Sequence, residues 1–221
     1  MCESLKVNNH LINNVKTSKY LGDILSNDGK HKVNVLERKR KAIGIISDVF
    51  AILDELPLAS KHVETGLLLR QTVLLSSLLF NTESVGNYTE SDINAMEAVD
   101  NIFLSNLITK RQKTSISFLH LETATLPIRF ILASRQVNYF HHIITRDSSE
   151  LINRVFRSMV KSPLPGDWIH RLYKSLTLIG MTYDEEFIKS FSKQSFKKYV
   201  KKKTTTAAFS FLLKLKITNQ N

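Results

Sequence analysis

Residues that interrupt helices and strands are scarce in this chain, whose 221 residues include 7 glycines and 4 prolines. Glycine and proline weaken or end helices, so a chain that holds few of them favours long, uninterrupted elements. Apolar residues recur at helical spacing through most of the sequence after residue 31, whereas short strand-like segments precede it. The sequence therefore predicts a mainly α protein: a short N-terminal β-hairpin, then a helical bundle and further helices.

The single cysteine, Cys2, narrows the class of protein further. One cysteine cannot form an internal disulfide, and the cysteine pairs of a usual structural zinc site are missing. The apolar run at residues 67–80 is interrupted by polar residues and falls short of the roughly 18 residues of a membrane span. No signal-peptide core is present. We expect an intracellular protein, nuclear or cytoplasmic, with no membrane attachment and no metal site.

Two strand-like segments, residues 5–7 and 15–25, are expected to form the hairpin around Asn8-Asn9-His10. Gly22 lies inside the second segment and marks a place where another group approaches the backbone closely. Asn27-Asp28-Gly29 has the composition of a turn. Because isolated strands are marginally stable, we expect these to lean on the helices.

Apolar spacing predicts a first helix at about residues 33–53 and a second at about residues 60–81. Leu56-Pro57 is expected to end the first helix. The inward face of the first is predicted to carry Leu36, Ile43, Ile46, Phe50 and Leu53. The inward face of the second is predicted to carry Val63, Leu67, Leu74 and Leu78.

The third helix opens with Thr89-Glu90-Ser91-Asp92, in which the Thr89 hydroxyl caps the Asp92 amide and the Asp92 carboxylate reaches back, as in a capping box. Its apolar stripe is Ile93, Met96, Phe103 and Leu107. Asp100 falls within this stripe. It must therefore lie at an exposed edge, pair with a base such as Arg70 or Arg129, or be hydrogen-bonded.

Four further helices are predicted downstream. They are a short one at residues 117–121, a long one from Pro127 to His141-His142, one at 148–160, and one at 168–178 between Asp167 and Gly180. In the long helix the expected inward residues are Ile131, Val137 or Asn138, and Ile144. The adjacent histidines favour burial or a helix end over a metal site. Trp168 is expected to be a packing anchor rather than a platform for bases.

Positive charge is concentrated in two segments of a chain whose formal net charge is +11. One is residues 30–41, where Glu37 is the single acid. The other is residues 187–221, with nine lysines, no acid, and interleaved Phe191, Phe196, Tyr199, Phe209 and Phe211. This mixture fits a surface that tracks phosphates and stacks bases, or a solvated helix face with an apolar underside, and both interpretations stay open. Thr204-Thr205-Thr206 is a candidate interruption of this helix.

The passage Ser18-Lys19-Tyr20-Leu21-Gly22-Asp23-Ile24-Leu25-Ser26, followed by Asn27-Asp28-Gly29-Lys30 and a basic helix, resembles part of a polymerase. It is similar to the end of the palm and the start of the thumb in reverse transcriptases of non-LTR (LINE-like) retrotransposons. Tyr88-Thr89-Glu90-Ser91-Asp92-Ile93 resembles the helical thumb of that family. Leu126-Pro127-Ile128-Arg129 and Pro165-Gly166-Asp167-Trp168 are similar to the linker beyond it, so the resemblance covers roughly residues 15–200.

The resemblance implies four units: residues 1–30 as a palm remnant, 31–113 as a thumb-like domain, 114–181 as a linker domain and 182–221 as a basic helical tail. It implies a primer grip at Tyr20, Leu21 and Gly22. The expected partner is nucleic acid, an RNA–DNA hybrid of RNA template and DNA primer, gripped at its wide, shallow minor groove. The predicted nucleic-acid contacts are Lys19, Lys30, Lys32, Arg38, Lys39, Arg40, Lys41, Lys197, Lys198, Lys201, Lys202 and Lys203.

The chain departs from this family at the chemistry of polymerisation. Full-length members use Mg²⁺ held by palm carboxylates, including two adjacent aspartates, and this sequence has no Asp-Asp pair. Tyr183-Asp184-Glu185-Glu186 is more typical of a helix N-terminus. We therefore expect a fragment that binds primer and template without polymerising, and without a cofactor. The alternative is a non-enzymatic all-helical protein-interaction module or an inert element remnant, and self-association through a face left by the missing palm is considered for either.

Overall fold

A computed structural model describes residues 6–7, 10–11, 15–20, 22–55, 59–85, 88–109, 114–164 and 166–218. The fold is mainly α with β-hairpins at its N-terminus, as predicted. The strands are β1 (Lys6–Val7), β2 (His10–Leu11), β3 (Thr17–Tyr20) and β4 (Asp23–Ser26). The helices are α1 (Lys32–Asp54), α2 (Ala59–Leu69), α3 (Leu75–Leu78), α4 (Glu90–Ile108), α5 (Ile116–Glu122), α6 (Ile128–Ile144), α7 (Leu151–Lys161), α8 (Trp168–Leu178), α9 (Glu185–Lys189) and α10 (Lys193–Thr218). None of these described helices has the length and apolar character that crossing a membrane requires.

The described N-terminal strands form two hairpins instead of the single one expected. β1 pairs with β2, and β3 pairs antiparallel with β4 so that Tyr20 lies opposite Asp23. Gly22 is therefore in a turn, and its left-handed φ of 92° explains why a continuous strand over residues 15–25 was the wrong prediction. The predicted turn at Asn27-Asp28-Gly29 is confirmed, and the Gly29 amide donates to the Ser26 carbonyl at 3.1 Å.

Helix α1 has nearly the predicted bounds but turns a different face toward the core. Leu36 and Ile43, expected to be buried, are 52% and 47% exposed. Contacts with α4 and with β4 select the neighbouring row of this helix. The buried apolar row is Val35, Ala42, Ile46, Val49 and Leu53. The predicted helix end at Leu56-Pro57 lies outside the described residues.

The predicted second helix is a helical run through α2 and α3 that contains a π-helical turn at Arg70–Leu74. Leu74 and Leu78 are buried as expected, whereas Val63 is 38% exposed. A π turn accommodates one extra residue, so it changes which side chains face inward. The result is a buried arginine, Arg70, in the middle of the bundle.

The features predicted for the third helix are confirmed in α4. The Asp92 amide donates to the Thr89 hydroxyl at 3.2 Å, and the Thr89 amide donates to the Asp92 carboxylate at 2.9 Å. Asp100 is fully buried, and Arg70 donates two hydrogen bonds of 2.6 and 2.7 Å to its carboxylate. Pairing with a base is therefore the correct one of the three alternatives. The buried stripe is Ile93, Met96, Phe103 and Leu107, as predicted.

Two apolar cores meet along α6. Ile128 and Leu132 of this helix belong to a first core shared with α1, α3 and α4, whereas Phe130 and Val137 belong to a second core shared with α7 to α10. Trp168 is buried in the second core and its indole N–H donates to the Glu83 carbonyl at 2.9 Å, which confirms the packing role.

The capping signals around α8 are also confirmed. Asp167 accepts a hydrogen bond from the His170 amide at 2.8 Å, and Gly180 follows the helix with a φ of 67°. A carboxylate before the first turn and a left-handed glycine after the last one satisfy the backbone groups that a helix leaves unpaired at its ends.

Helix α10 runs without a break from Lys193 to Thr218, so the interruption considered at Thr204-Thr205-Thr206 is wrong. Its buried positions recur at every fourth residue: Phe196, Val200, Thr204, Ala208 and Leu212. This row packs against α6 and α5. The threonines stay helical because Thr204 lies in the packed row, where tertiary contacts outweigh a weak helix propensity.

Candidate nucleic-acid interface

A buried polar junction fixes the β3–β4 hairpin to α1. The carboxylate of Asp23, at the start of β4, accepts three hydrogen bonds. They come from the side-chain amide of Asn34 at 3.1 Å, from the side-chain amide of Asn81 at 2.9 Å and from the Arg38 guanidinium. The Ile24 amide donates to the Asn34 side chain at 3.3 Å. Burial alone would raise the pKa of Asp23, but these hydrogen bonds together hold it below its ordinary value.

Arg38 belongs to this junction and not to the exposed basic surface. It is 5% exposed, pairs with Asp23 and also donates to the Leu78 carbonyl at 3.5 Å. The prediction that Arg38 contacts nucleic acid is therefore replaced by a role in holding the hairpin. The four-residue spacing of Asn34 and Arg38 on the buried side of α1 is a signal that sequence reasoning missed, as it missed Asn81.

Exposed cations of α1 and the hairpin gather around one carboxylate, Glu37. Arg40 donates two hydrogen bonds of 3.0 Å to Glu37, and the Lys41 ammonium lies 3.9 Å from it. The hydrogen bonds from Arg40, with the charges of Arg40, Lys41 and Lys19, hold the pKa of Glu37 below its ordinary value. Three cations therefore surround one anion. Lys39 is half-buried and, two residues from Glu37 on the helix, lies on a different face. We call Lys19, Arg40 and Lys41 the α1 basic surface.

The residues predicted to form a primer grip lie at the tip of the β3–β4 hairpin. Tyr20 is 63% exposed, and Gly22 lies in the turn with the Phe80 ring 3.5 Å from where a Cβ would be. The predicted close approach to Gly22 is thus made by Phe80 of the same chain. Leu21 lies outside the described residues.

Lys30 and Lys32 are exposed but line a different cleft, of about 640 Å³, between the start of α1, α4 and α8. Arg171 and Lys174 add positive charge there, whereas Glu90 and Asp92 of α4 add negative charge. These two lysines therefore line a cleft of mixed charge and do not belong to the α1 basic surface.

The lysines of α10 point away from its packed row. Lys197, Lys198, Lys201 and Lys202 are exposed, and Lys203 is half-buried with its ammonium 5.8 Å from the centre of the Tyr199 ring. Two of the interleaved rings lie on the other side: Phe196 is 1% exposed, and Phe191 packs against it. These two rings match an apolar underside, whereas Tyr199 lies near Lys203 and Phe209 lines a cleft together with Lys201.

The remaining candidates for chemistry have structural roles. His141 is 4% exposed and its ring stacks on Phe196 at 4.5 Å. Asp184 caps α9 by accepting from the Phe187 amide at 2.9 Å, so the helix N-terminus predicted there is confirmed. Arg157 and Lys189 hold the pKa of Glu185 at about 2, chiefly through the Arg157 hydrogen bonds. Within the described part of the chain, no three His, Cys, Asp or Glu side chains are grouped as metal ligands would be.

Comparison with known proteins adds no family assignment to this geometry. No protein-family model, curated protein or solved structure matches the chain. The function is therefore argued from the residues and their arrangement, together with the resemblance of the sequence.

Proposed function

We propose that this chain is the C-terminal, thumb-like part of a non-LTR retrotransposon reverse transcriptase, and that it binds a primer–template duplex without polymerising. The observation that carries the proposal is the α1 basic surface beside a hairpin that Asp23 fixes to the same helix. A hairpin held against a cationic helix offers a fixed surface to a duplex end. Positioning of this kind needs phosphate contacts and no base reading.

The outer face of α1 supports binding to a shallow groove. Leu36 and Ile43 are about half exposed on this face, and a Cβ on Gly44 would meet no atom within 4 Å. Glycine within a helix costs roughly 0.5–1 kcal/mol relative to alanine, and no contact among the described residues explains it at Gly44. A wide, shallow minor groove of A-like geometry accepts such an apolar face against its sugars while the flanking cations contact phosphates.

The absence of an adjacent aspartate pair in the sequence supports binding without polymerisation. The two-metal mechanism needs closely spaced carboxylates, and the chain has no adjacent aspartate pair. Asp23 and Asp100 are buried carboxylates, and both are paired with arginines. We therefore assign the chain a binding function and no catalytic residue.

The test is the affinity of the purified chain for an RNA–DNA hybrid, a DNA duplex and single strands across a range of salt. Changing Arg40 and Lys41 to Ala is expected to weaken hybrid binding about tenfold or more. The slope of log affinity against log salt should become shallower by about two, one for each lost phosphate contact.

The matched control changes Arg154 and Lys161 of α7 to Ala, because these are also one exposed arginine and one exposed lysine on a helix. The control should leave hybrid affinity within about twofold of the original protein. Equal losses in the two variants would mean that net charge alone governs binding, and the proposed surface would then be abandoned.

The second candidate, a protein-interaction module, is favoured by one observation. Tyr20, Leu25 and Phe80, at or near the hairpin, are each more than half exposed. Exposed apolar groups close together suit a protein surface, including a second copy of the chain. Sedimentation at rising concentration separates the candidates, since a dimer that forms without nucleic acid and is lost in a Leu25→Ser variant would favour this one.

A further inference from the structure

A second cleft, of about 480 Å³, lies where the π turn, the α5–α6 connection, α6 and α10 meet. Its volume is in the range of small-ligand sites. No acidic residue lines it, in contrast to the cleft beside Lys30 and Lys32. Its polar and charged side chains include Gln71, Ser134, Arg135, Lys201 and Thr205, and Phe209 lies along one side.

Two cations in this cleft have capacity to bind an anion. Lys201 is exposed, and no carboxylate of the described residues lies within 4.0 Å of its ammonium. Arg135 uses its Nη1 group to donate to the Leu79 carbonyl and lies 3.9 Å from Glu83. Its Nε and Nη2 groups have no partner among the described residues. A guanidinium and an exposed ammonium that line the same cleft can together bind a phosphate.

The uncharged polar side chains of the cleft are also available for hydrogen bonds to a ligand. Gln71 and Thr205 make no side-chain hydrogen bond within the described part of the chain, and Ser134 has only a long contact of 3.5 Å with Asn138. The wall between them is apolar, formed by Leu126, Ile131 and the Phe209 ring. The cleft therefore combines an anion site, hydrogen-bonding groups and an apolar surface for a flat ring.

A buried ion pair fastens the irregular backbone in the wall of this cleft. Arg70, in the π turn, donates to Asp100 and also to the Leu126 carbonyl at 3.4 Å, so one buried ion pair fastens the turn to the α5–α6 connection. Single π turns inside α-helices occur frequently at functional sites. Here the turn places Gln71 at the cleft while Arg70 stays committed to Asp100.

We propose that this cleft binds one nucleotide, a phosphate ester that carries a flat base, with the phosphate on Arg135 and Lys201 and the base against Phe209. The nucleotide is either free or one unit of a single strand, since Lys197, Lys198 and Lys202 extend the row of exposed lysines on α10. The inference does not depend on the proposed duplex binding, because it uses no residue of the α1 basic surface.

The experiment is titration calorimetry of the full chain with adenosine 5′-monophosphate, orthophosphate, adenosine and an eight-residue deoxyadenylate strand. Adenosine 5′-monophosphate is expected to bind more tightly than either of its fragments. Lys201→Ala should weaken it about tenfold, as for one lost charge-assisted hydrogen bond, and Phe209→Leu should reduce its advantage over orthophosphate.

Lys216→Ala is the matched control, because Lys216 is an exposed lysine of the same helix that neither lines the cleft nor belongs to the predicted contacts. It should change the mononucleotide affinity less than twofold. Equal losses in both variants, or no mononucleotide binding at millimolar concentration, would overturn the proposal.

The strand and the mononucleotide distinguish the two sources of the nucleotide. Tighter binding of the strand, with the same sensitivity to Lys201→Ala, identifies a unit of single-stranded nucleic acid, whereas tighter binding of the mononucleotide identifies a free ligand. The Arg40→Ala and Lys41→Ala variant should keep its nucleotide affinity, so failure of duplex binding and failure of this cleft are seen separately.

Discussion

The hairpin junction and helix α10 carry the two concentrations of positive charge, but they are built differently. At the junction a buried carboxylate, Asp23, lies beneath the cations and draws Arg38 inward. On α10 an apolar row lies beneath the lysines, and residues 187–221 contain no acid. The first surface depends on a polar network for its shape, whereas the second depends on apolar packing and uses its charges only at the surface.

This difference shows that two segments rich in basic residues can depend on different interactions for their structure. A cation that lies next to a buried acid becomes part of the fold, and its removal leaves an unpaired charge. A cation above an apolar row is held in water and adds little to stability. Substitution of the buried residues beneath each surface should therefore affect folding differently in the two regions.

The largest expected effect is on the free energy of unfolding when the buried apolar row of α10 is changed. Phe196→Ala removes a ring that is 1% exposed and stacks on His141, so it should lower the free energy of unfolding by about 3–5 kcal/mol. Urea unfolding followed by circular dichroism measures this loss. Leu213→Ala on the same helix is the control, because Leu213 is 52% exposed and its loss should change stability by less than about 0.5 kcal/mol. Similar losses in both would contradict the packed row.

The next largest effect is the loss of stability expected when the polar network of the hairpin junction is changed. Asp23→Ala leaves the Arg38 guanidinium buried without its carboxylate, and we expect a loss of about 2–3 kcal/mol. Amide hydrogen exchange should show protection lost first in β3 and β4, because an isolated hairpin is marginally stable. Asp28→Ala, in the exposed turn nearby, should have a small effect. Unchanged exchange in β3 and β4 would show that apolar contacts hold the hairpin instead.

The smallest expected effect is the pH dependence of stability that two carboxylates cause, Asp23 at the hairpin junction and Glu185 in α9, just before α10. Asp23 and Glu185 have pKa values held below their ordinary ones, that of Glu185 at about 2. A carboxyl group with a lowered folded-state pKa stabilises the protein above its unfolded-state pKa and loses this contribution as pH falls through the folded value. Stability should therefore decline below about pH 4 to 4.5, and unfolding midpoints measured from pH 6 to pH 2 test this.

Single substitutions assign the decline to the two carboxylates. Glu185→Gln should be less stable than the original protein at pH 6, with the difference shrinking toward pH 2. Asp23→Asn should behave in the same way below about pH 4. A difference that stays constant across the whole range would show that the charge of that carboxylate does not contribute.

Local features of the fold were predictable because they rest on neighbouring residues. The capping box of Thr89 and Asp92, the cap at Asp167 and the stop at Gly180 are formed within single turns, so their residue types predict them directly. The burial of Asp100 with a base was also predictable. A carboxylate within an apolar stripe has few ways to be satisfied.

The candidate site was predictable only in part. Most of the predicted cations, among them Arg40, Lys41 and Lys201, are exposed, as a charged residue usually is. Arg38 is not, and nothing in the order of its neighbours indicates that Arg38 and Asn81 converge on the same carboxylate, Asp23. The cleft beside Lys201 likewise joins four separate segments of the chain.

The sequence by itself determined the helical class, the bounds and caps of most helices and the two concentrations of positive charge, since these follow from composition and from spacing within one turn. Only the tertiary structure decided which row of α1 is buried, where the π turn lies and that Arg38 is part of the fold. The physical reason is that α1 carries two adjacent apolar rows, and contacts with α4, which is distant in sequence, and with the preceding hairpin select between them.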